Sequence, residues 1–225
     1  MKNWFKYYFG YHPIREVQSP ISGLVKVVMV LNRPRLIVGN MVQSGGLVRK
    51  IWEKAIARLK KKGKKISRVL ILGLGCGDCA FEVQKYYPRA EMIGVEIDEH
   101  VVDMAKCYFN LATVKNLKIA IGDAAKYVRK LAKKKKPKKF DLILVDVYLG
   151  KKMPKEFRSK RFFERLKKLL EKKGVIAYNH LFFKGHKKEA KAFIKELETI
   201  FPKIELQRTA SNLIIFASNN IDNSG

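Results

Sequence analysis

Residues 69–80 read Val-Leu-Ile-Leu-Gly-Leu-Gly-Cys-Gly-Asp-Cys-Ala, so branched apolar residues run straight into glycines at positions 73, 75 and 77. A short apolar run of this kind is a buried strand, and alternate glycines after it allow a tight turn and close approach of backbone to a ligand before a helix begins. The stretch therefore calls for a sheet of short buried strands covered by helices, with a binding turn at the end of one strand.

The rest of the chain repeats that alternation. Strands are expected near 69–72, 91–95, 117–121 and 140–145, the first three followed by helices near 78–87, 99–109 and 123–132. A helix near 160–171, a strand at 174–178 and a helix near 186–200 come next, and strands near 203–207 and 212–217 end the series. Short apolar strands alternating with helices indicate an α/β fold, a Rossmann-like, doubly wound, mainly parallel seven-stranded sheet. The last two strands are too close for a crossover helix and should form an antiparallel hairpin on it. Upstream, β-rich runs at 24–31 and 35–42 flank Asn32-Arg33-Pro34 and read as a small β-hairpin, followed by a core-facing helix over 47–59. The expected division is an aromatic and basic segment over 1–23, hairpin and helix over 24–66, a cofactor-binding domain over 67–218, and a disordered tail over 219–225.

At 225 residues and 47% hydrophobic side chains, the chain can bury one full core with a small appendage. Its 48 Lys and Arg against 20 Asp and Glu give a formal charge of +28, which would draw polyanions such as nucleic acid or acidic membranes. A lysine-rich proteome would produce the same excess. Two basic runs, 60–65 and 133–139, each lie just before a strand, on the edge opposite the one where open α/β sheets bind ligands. They read either as solvated loop charge or as a nucleic-acid surface, and no RNA- or DNA-binding motif accompanies them.

Cys76, Cys79 and Cys107 are an odd set without paired spacing, which argues against disulfides and for a reducing, cytoplasmic location. The Cys76-x-x-Cys79 pair lacks two further ligands for zinc and reads as small residues in a tight turn, so no metal is expected. No apolar run approaches the roughly 20 residues of a membrane span. The segment 1–11, Met-Lys-Asn-Trp-Phe-Lys-Tyr-Tyr-Phe-Gly-Tyr, is too aromatic and interrupted for a secretory signal. It reads as a cover for its own domain or a partner subunit, in preference to an interfacial anchor.

Carboxylates recur where the strands end. Glu96 closes the second strand about 20 residues after the glycine turn, where an acidic side chain can accept two hydrogen bonds from ribose hydroxyls. Asp123, in Gly122-Asp123-Ala124, follows the third strand, and Asp146 ends the fourth. Asp123 and Asp78 could each simply cap a helix. Taken together, signals at the carboxyl ends of four successive strands define one crevice at the point where the strand order reverses.

The run Gly73-Leu74-Gly75-Cys76-Gly77, then Val95-Glu96-Ile97-Asp98, Gly122-Asp123-Ala124 and Val145-Asp146, resembles the class I S-adenosylmethionine-dependent methyltransferases, and most of all their spermidine-synthase-like branch. The resemblance extends to Val42-Gln43-Ser44-Gly45-Gly46 and covers the chain from about residue 22 to 218. It implies S-adenosylmethionine, or decarboxylated S-adenosylmethionine, as cofactor. Gly73, Gly75 and Gly77 would pass under its amino-acid moiety, Glu96 would bind the ribose, Asp123 the adenine amino group with Ala124 beside it, and Gln43 would reach in from the hairpin. Asp146 matches the first aspartate of the aspartate-rich segment that orients and deprotonates the attacking amine. That role suits the physics, because transfer from a sulfonium needs an unprotonated nucleophile held in line, while the leaving thioether needs no acid.

The departures narrow the reaction. Spermidine synthases resemble Gly-Gly-Gly-Asp-Gly-Gly at the turn, and their Asp falls at Cys76; the second aspartate of their Asp-x-x-Asp segment falls at Leu149, and their Tyr-Gln pair at Trp52-Glu53. A diamine carries two positive charges and needs acidic partners at both ends, so two expected carboxylates are absent. The methyltransferase pattern departs too, with Gly73 at its usual acidic position and Cys79 at its last glycine. Tyr148, two residues past Asp146, stands either beside the substrate or in the crevice wall. The first expectation is an S-adenosylmethionine-binding transferase acting on a small-molecule amine or other nucleophile, methyl before aminopropyl. A polyamine aminopropyltransferase is the alternative, and a non-catalytic basic binder of nucleic acid or membrane surfaces is a third. The resemblance also implies a homodimer formed through the N-terminal hairpin.

Overall fold

The computed structural model describes residues 12–39, 41–150, 152–183, 185–209 and 211–219. The aromatic segment 1–11 and the tail from 220 lie outside the described residues. An antiparallel sheet comes first, with β1 (His12–Ser19), β2 (Gly23–Val30), β3 (Arg33–Val38) and β4 (Met41–Ser44) side by side in that order. The expected hairpin is its centre, turning through Leu31 and Asn32 at φ of 49° and 57°. The outer strands carry no apolar signature. Residues 13–16 of β1 are exposed, as suits an edge strand, and the second run breaks at Gly39, leaving β4 as a short strand of its own. Helix α1 (Leu47–Lys61) then buries Ile51, Trp52, Ala55, Ile56 and Leu59, the stripe that its spacing predicts.

The central sheet contains β5 (Arg68–Leu72), β6 (Glu91–Glu96), β7 (Leu117–Ile121), β8 (Phe140–Val145), β9 (Leu170–Leu181), β10 (Lys203–Arg208) and β11 (Asn212–Ser218). Their order is β10-β11-β9-β8-β5-β6-β7, with β5 to β9 parallel and β11 antiparallel to both β9 and β10. Between the strands lie α2 (Asp78–Tyr86), α3 (Glu99–Tyr108), α4 (Ala124–Ala132), α5 (Lys160–Leu169) and α6 (Lys187–Glu198). Alternation along each strand decides the layers. Val69, Ile71, Leu142 and Leu144 join one core with Trp52, Val83 and Met104, whereas Leu70, Leu72, Ile143 and Val145 join another with Val128, Phe163 and Phe193. Burial of each large side chain contributes about 1.5–3 kcal/mol relative to exposure.

One boundary differs from the sequence reading. Helix α5 ends at Leu169, and β9 begins at once with Leu170, which pairs with Phe140, four residues before the expected strand. The lysines at 172 and 173 hide this start, because they are exposed and separate the buried Leu170 from the continuous buried run that begins at residue 174. From β5 the chain runs outward to β6 and β7, then crosses back to β8 and β9, so the crevice opens at the carboxyl ends of β5 and β8. The N-terminal sheet is tied across it. Ser19 Oγ donates to Asp98 at 2.6 Å, and Ser44 Oγ to Asp78 at 2.7 Å. Among the described residues no helix is long and apolar enough to cross a membrane.

Candidate active site

The turn after β5 is shaped by what surrounds its backbone. Gly73 has φ +81°, and a Cβ there would lie 2.3 Å from the carbonyl oxygen of Asp146. Only glycine lets β5 and β8 diverge this closely. The Gly73 and Leu74 N–H groups both donate to the Val95 carbonyl at 3.0 Å, while Gly75 N–H donates to Glu96 Oε2 at 2.8 Å. Gly77 is placed differently from Gly73 and Gly75. It is absent from the cavity wall, and a Cβ there would meet Leu111 Cδ1 at 2.4 Å, so this glycine seats α2 against a neighbouring loop.

Over the turn lies a cavity of about 550 Å³, within the usual size range of small-molecule sites. Gln43, Gly73, Gly75, Glu96, Asp123, Ala124 and Asp146 all line it, so the strand-end residues singled out by the sequence converge, Gly77 excepted. Glu96 is 9% exposed; its Oε1 accepts the N–H groups of Ile97 at 2.9 Å and Asp98 at 3.2 Å. Burial pushes its carboxyl above the usual range, and the amides of Gly75, Asp98 and Ile97 oppose that push. Asp123 caps α4, accepting Lys126 N–H at 2.7 Å, and also borders the cavity.

Asp146 sits on the cavity floor between two neutral donors. Trp52 Nε1 donates to Oδ2 at 2.8 Å, and Asn179 Nδ2 to Oδ1 at 2.9 Å. Asn179 is itself fixed by Asn212 Nδ2, which donates to its Oδ1 at 2.8 Å. Burial raises the Asp146 carboxyl from the ordinary 3.8 to about 6, partly offset by the Trp52 and Asn179 bonds and reinforced by the charge of Asp78. The result is a carboxylate ionised at neutral pH yet still basic enough to take a proton.

Asp78 does not cap its own helix. Its Oδ2 accepts Ser44 Oγ and, at 2.9 Å, the Gly45 N–H, fastening the end of β4 to the glycine turn. Tyr148 also belongs to the wall: its hydroxyl donates to the Asn179 carbonyl at 3.2 Å and accepts Leu181 N–H at 3.0 Å. Cys76 and Cys79 are buried, and burial raises both thiols well above the usual range, which leaves them as unreactive filler. Leu149, at the place of the second synthase aspartate, stands 56% exposed on the cavity rim. Glu53 points elsewhere and pairs with Lys85 at 2.7 Å.

Residues 50–218 match the family model of the spermine/spermidine synthase domain. The chain belongs to that family. Within the spermine/spermidine synthase family, it is 34% identical over 115 residues to a polyamine aminopropyltransferase of Vibrio vulnificus, covering 51% of this chain and 38% of that relative. It is also 30% identical over 163 residues to an N-terminal histidine N-methyltransferase of Emericella nidulans, covering 68% of this chain and 28% of the relative. The chain thus spans well under half the length of either relative. Among solved structures, a spermidine synthase in complex with the transition state analogue AdoDATO superposes with TM-score 0.78 at 19% identity, covering 93% of this chain and 74% of that one. Human methyltransferase-like protein 13 in complex with SAH gives 0.66 at 23%, covering 80% and 85%. Both share the Rossmann-like fold of this family member.

Proposed function

We propose that this family member binds S-adenosylmethionine and transfers its methyl group to an amine. The observation that carries the reading is Asp146, a cavity-floor carboxylate held by neutral donors and raised to about 6. The cavity residues suit such a donor. Glu96 offers a carboxylate to vicinal hydroxyls, Asp123 with Ala124 borders the far end for an adenine, and Gly73 and Gly75 leave backbone room for the amino-acid tail, with Gln43 reaching in from the N-terminal sheet. When bound, the sulfonium supplies an electrophilic carbon and a neutral thioether leaving group.

The remaining work falls to the protein. Above pH 6 Asp146 is ionised, attracts an ammonium, and accepts the proton that the amine must lose before attack. Trp52 and Asn179 prevent the carboxylate from rotating away. Met41, Gln43 and Ile21 of the N-terminal sheet cover the cavity and limit water. Methyl is favoured over aminopropyl because Cys76 and Leu149 stand where the polyamine enzymes carry carboxylates. Relatives described as methyltransferases of lysine, N-terminal and histidine amines agree with an amine acceptor.

A second reading, aminopropyl transfer to a polyamine, draws on Glu156, an exposed carboxylate bordering the same cavity beyond Leu149. Calorimetric titration with S-adenosylmethionine and with its decarboxylated form separates the two, together with mass analysis of products from a panel of amines. Saturable binding of the first and release of S-adenosylhomocysteine are expected. Release of methylthioadenosine would transfer the assignment to the second reading, and binding of neither donor would end both.

A further inference from the structure

The amino ends of the same strands hold charge that the cavity does not use. In sheet order from β9 through β8, β5 and β6 to β7, they carry Lys172 and Lys173, Lys139, Lys64 and Lys65, Arg89, and Lys115. Neighbouring strands lie about 4.8 Å apart, so five adjacent ends set these cations in a row about 19 Å long. Acids on this edge are occupied within the fold. Glu91 pairs with Lys138 at 3.0 Å, Glu171 with Arg68 at 2.6 Å, and Asp141 accepts the N–H groups of Ser67 and Arg68, both at 2.9 Å. Lys64, Lys65, Arg89, Lys115, Lys139, Lys172 and Lys173 form no ion pair with the described residues.

Between β5 and β6 the row deepens into a groove of about 400 Å³, whose wall includes Lys60, Lys64, Lys65, Arg89, Tyr86 and Tyr87 and no acidic side chain. Tyr87 is 6% exposed, and its hydroxyl, closed off from solvent, has no hydrogen-bond partner among the described residues. Chemistry separates the polyanions that such a surface could take. A membrane-binding face sets apolar side chains beside its lysines for insertion. Among the described residues the exposed large apolar side chains stand elsewhere, with Ile97, Ile121 and Leu149 at the carboxyl edge, Leu206 within β10 and the others on the N-terminal sheet. A linear row of cations with a concave centre and, among the described residues, no apolar anchor beside it suits a chain of phosphates.

We propose that the amino edge of the central sheet is a sequence-independent docking surface for the backbone of single-stranded nucleic acid. It lies one strand length, about 17 Å for the five residues of β5, from the cavity, and does not depend on the methyl-transfer reading. Neutralising about five phosphates of a single strand would lower affinity about a hundredfold between roughly 50 and 200 mM salt.

The test is fluorescence anisotropy of the full chain with a mixed-sequence single-stranded RNA of about 20 nucleotides, long enough to cross the row. Lys64→Glu, Lys65→Glu, Arg89→Glu and Lys139→Glu together should reduce affinity at least about tenfold. The same charge change made with Lys50→Glu, Lys54→Glu, Lys191→Glu and Lys195→Glu, exposed on α1 and α6, should reduce it far less. Gln at the four edge positions should give an intermediate loss, and thermal unfolding confirms that each variant is folded. Equal losses from the two Glu sets, salt-insensitive binding, or no binding would overturn the proposal. So would phosphatidylserine vesicles bound in place of RNA.

Discussion

The two edges of the central sheet are joined by the same strands, yet they carry opposite charge under opposite conditions. At the carboxyl ends, Asp78, Glu96, Asp98, Asp123 and Asp146 are held by hydroxyls, backbone amides, an indole and a carboxamide, and among the described residues no lysine or arginine side chain is bonded to any of them. At the amino ends, the cations are mostly solvated and the acids are already paired. Neutral donors hold a carboxylate in place without cancelling its field, so the cavity keeps its attraction for an ammonium or sulfonium at the expense of desolvating charge. Exposed lysines lose almost no hydration and offer a surface that salt can screen. One edge is a deep and energetically strained site, while the other is a shallow one that hardly affects folding.

Asp146→Asn should break that contrast most strongly. Turnover is expected to fall by about 10²–10⁴, the usual contribution of a general base, while donor affinity changes little. Stability should move the other way. The native carboxyl titrates near 6 against an ordinary 3.8, so its contribution favours the fold below about pH 4 and is lost as pH rises through 6. By pH 7 the ionised group opposes folding by about 3 kcal/mol, less about 1 kcal/mol that Asn would lose by facing the Asn179 amide. Thermal unfolding should therefore show the variant more stable than its parent at pH 7 and no more stable at pH 4. Reduced stability at both values would mean that the carboxylate supports the fold.

Glu96→Ala comes next. Loss of a charged acceptor should weaken donor binding by about 1–3 kcal/mol by calorimetry, and the unmade bonds to Gly75, Ile97 and Asp98 should also lower the unfolding midpoint. Lys64→Gln with Lys65→Gln, at the opposite end of β5, should leave donor binding unchanged. Parental donor affinity in Glu96→Ala would show that the residue serves only the loop.

Glu96, Asp123 and Asp146 could be read directly from the sequence because each ends an apolar strand, and a parallel sheet brings such ends to one edge. Gly77 belonged to the same pattern but follows a packing demand from Leu111, which spacing cannot reveal. Asn179 carried no signal, being one polar residue inside a buried strand, and its value lies in a bond to a residue 33 positions away. Trp52 could be seen only as a departure from the synthase pattern; its partner is 94 positions distant. The cationic row at the amino edge is drawn from four separate loops and the start of β9, so local sequence marks only its two longest runs and the strand order is needed to join them. Local periodicity marks elements and their ends, whereas pairing across the sheet requires topology.

Trp52→Phe probes how much of the Asp146 basicity is set by one neutral donor. The indole N–H favours the ionised carboxylate, so its removal should raise the carboxyl further and shift the rising limb of kcat/KM to higher pH by up to about one pH unit, near the strength of a single bond to a charged group. An unshifted limb would mean that the proton is taken by another residue.

Tyr148→Phe should have the smallest effect on chemistry, and so it marks the boundary between groups that serve charge and groups that serve only the wall. The hydroxyl joins the Asn179 carbonyl to the Leu181 N–H, and neither bond reaches a carboxylate. Phe keeps the ring and leaves two buried backbone groups unpaired, which should lower stability by about 1–3 kcal/mol in denaturant unfolding while kcat stays within about twofold. Because Tyr148 also borders the cavity, a drop in kcat comparable to that of Asp146→Asn would require the phenol to contact the acceptor itself. The neutral scaffold of the carboxyl edge would then include a reacting group, and Asp146 would no longer act alone on the proton.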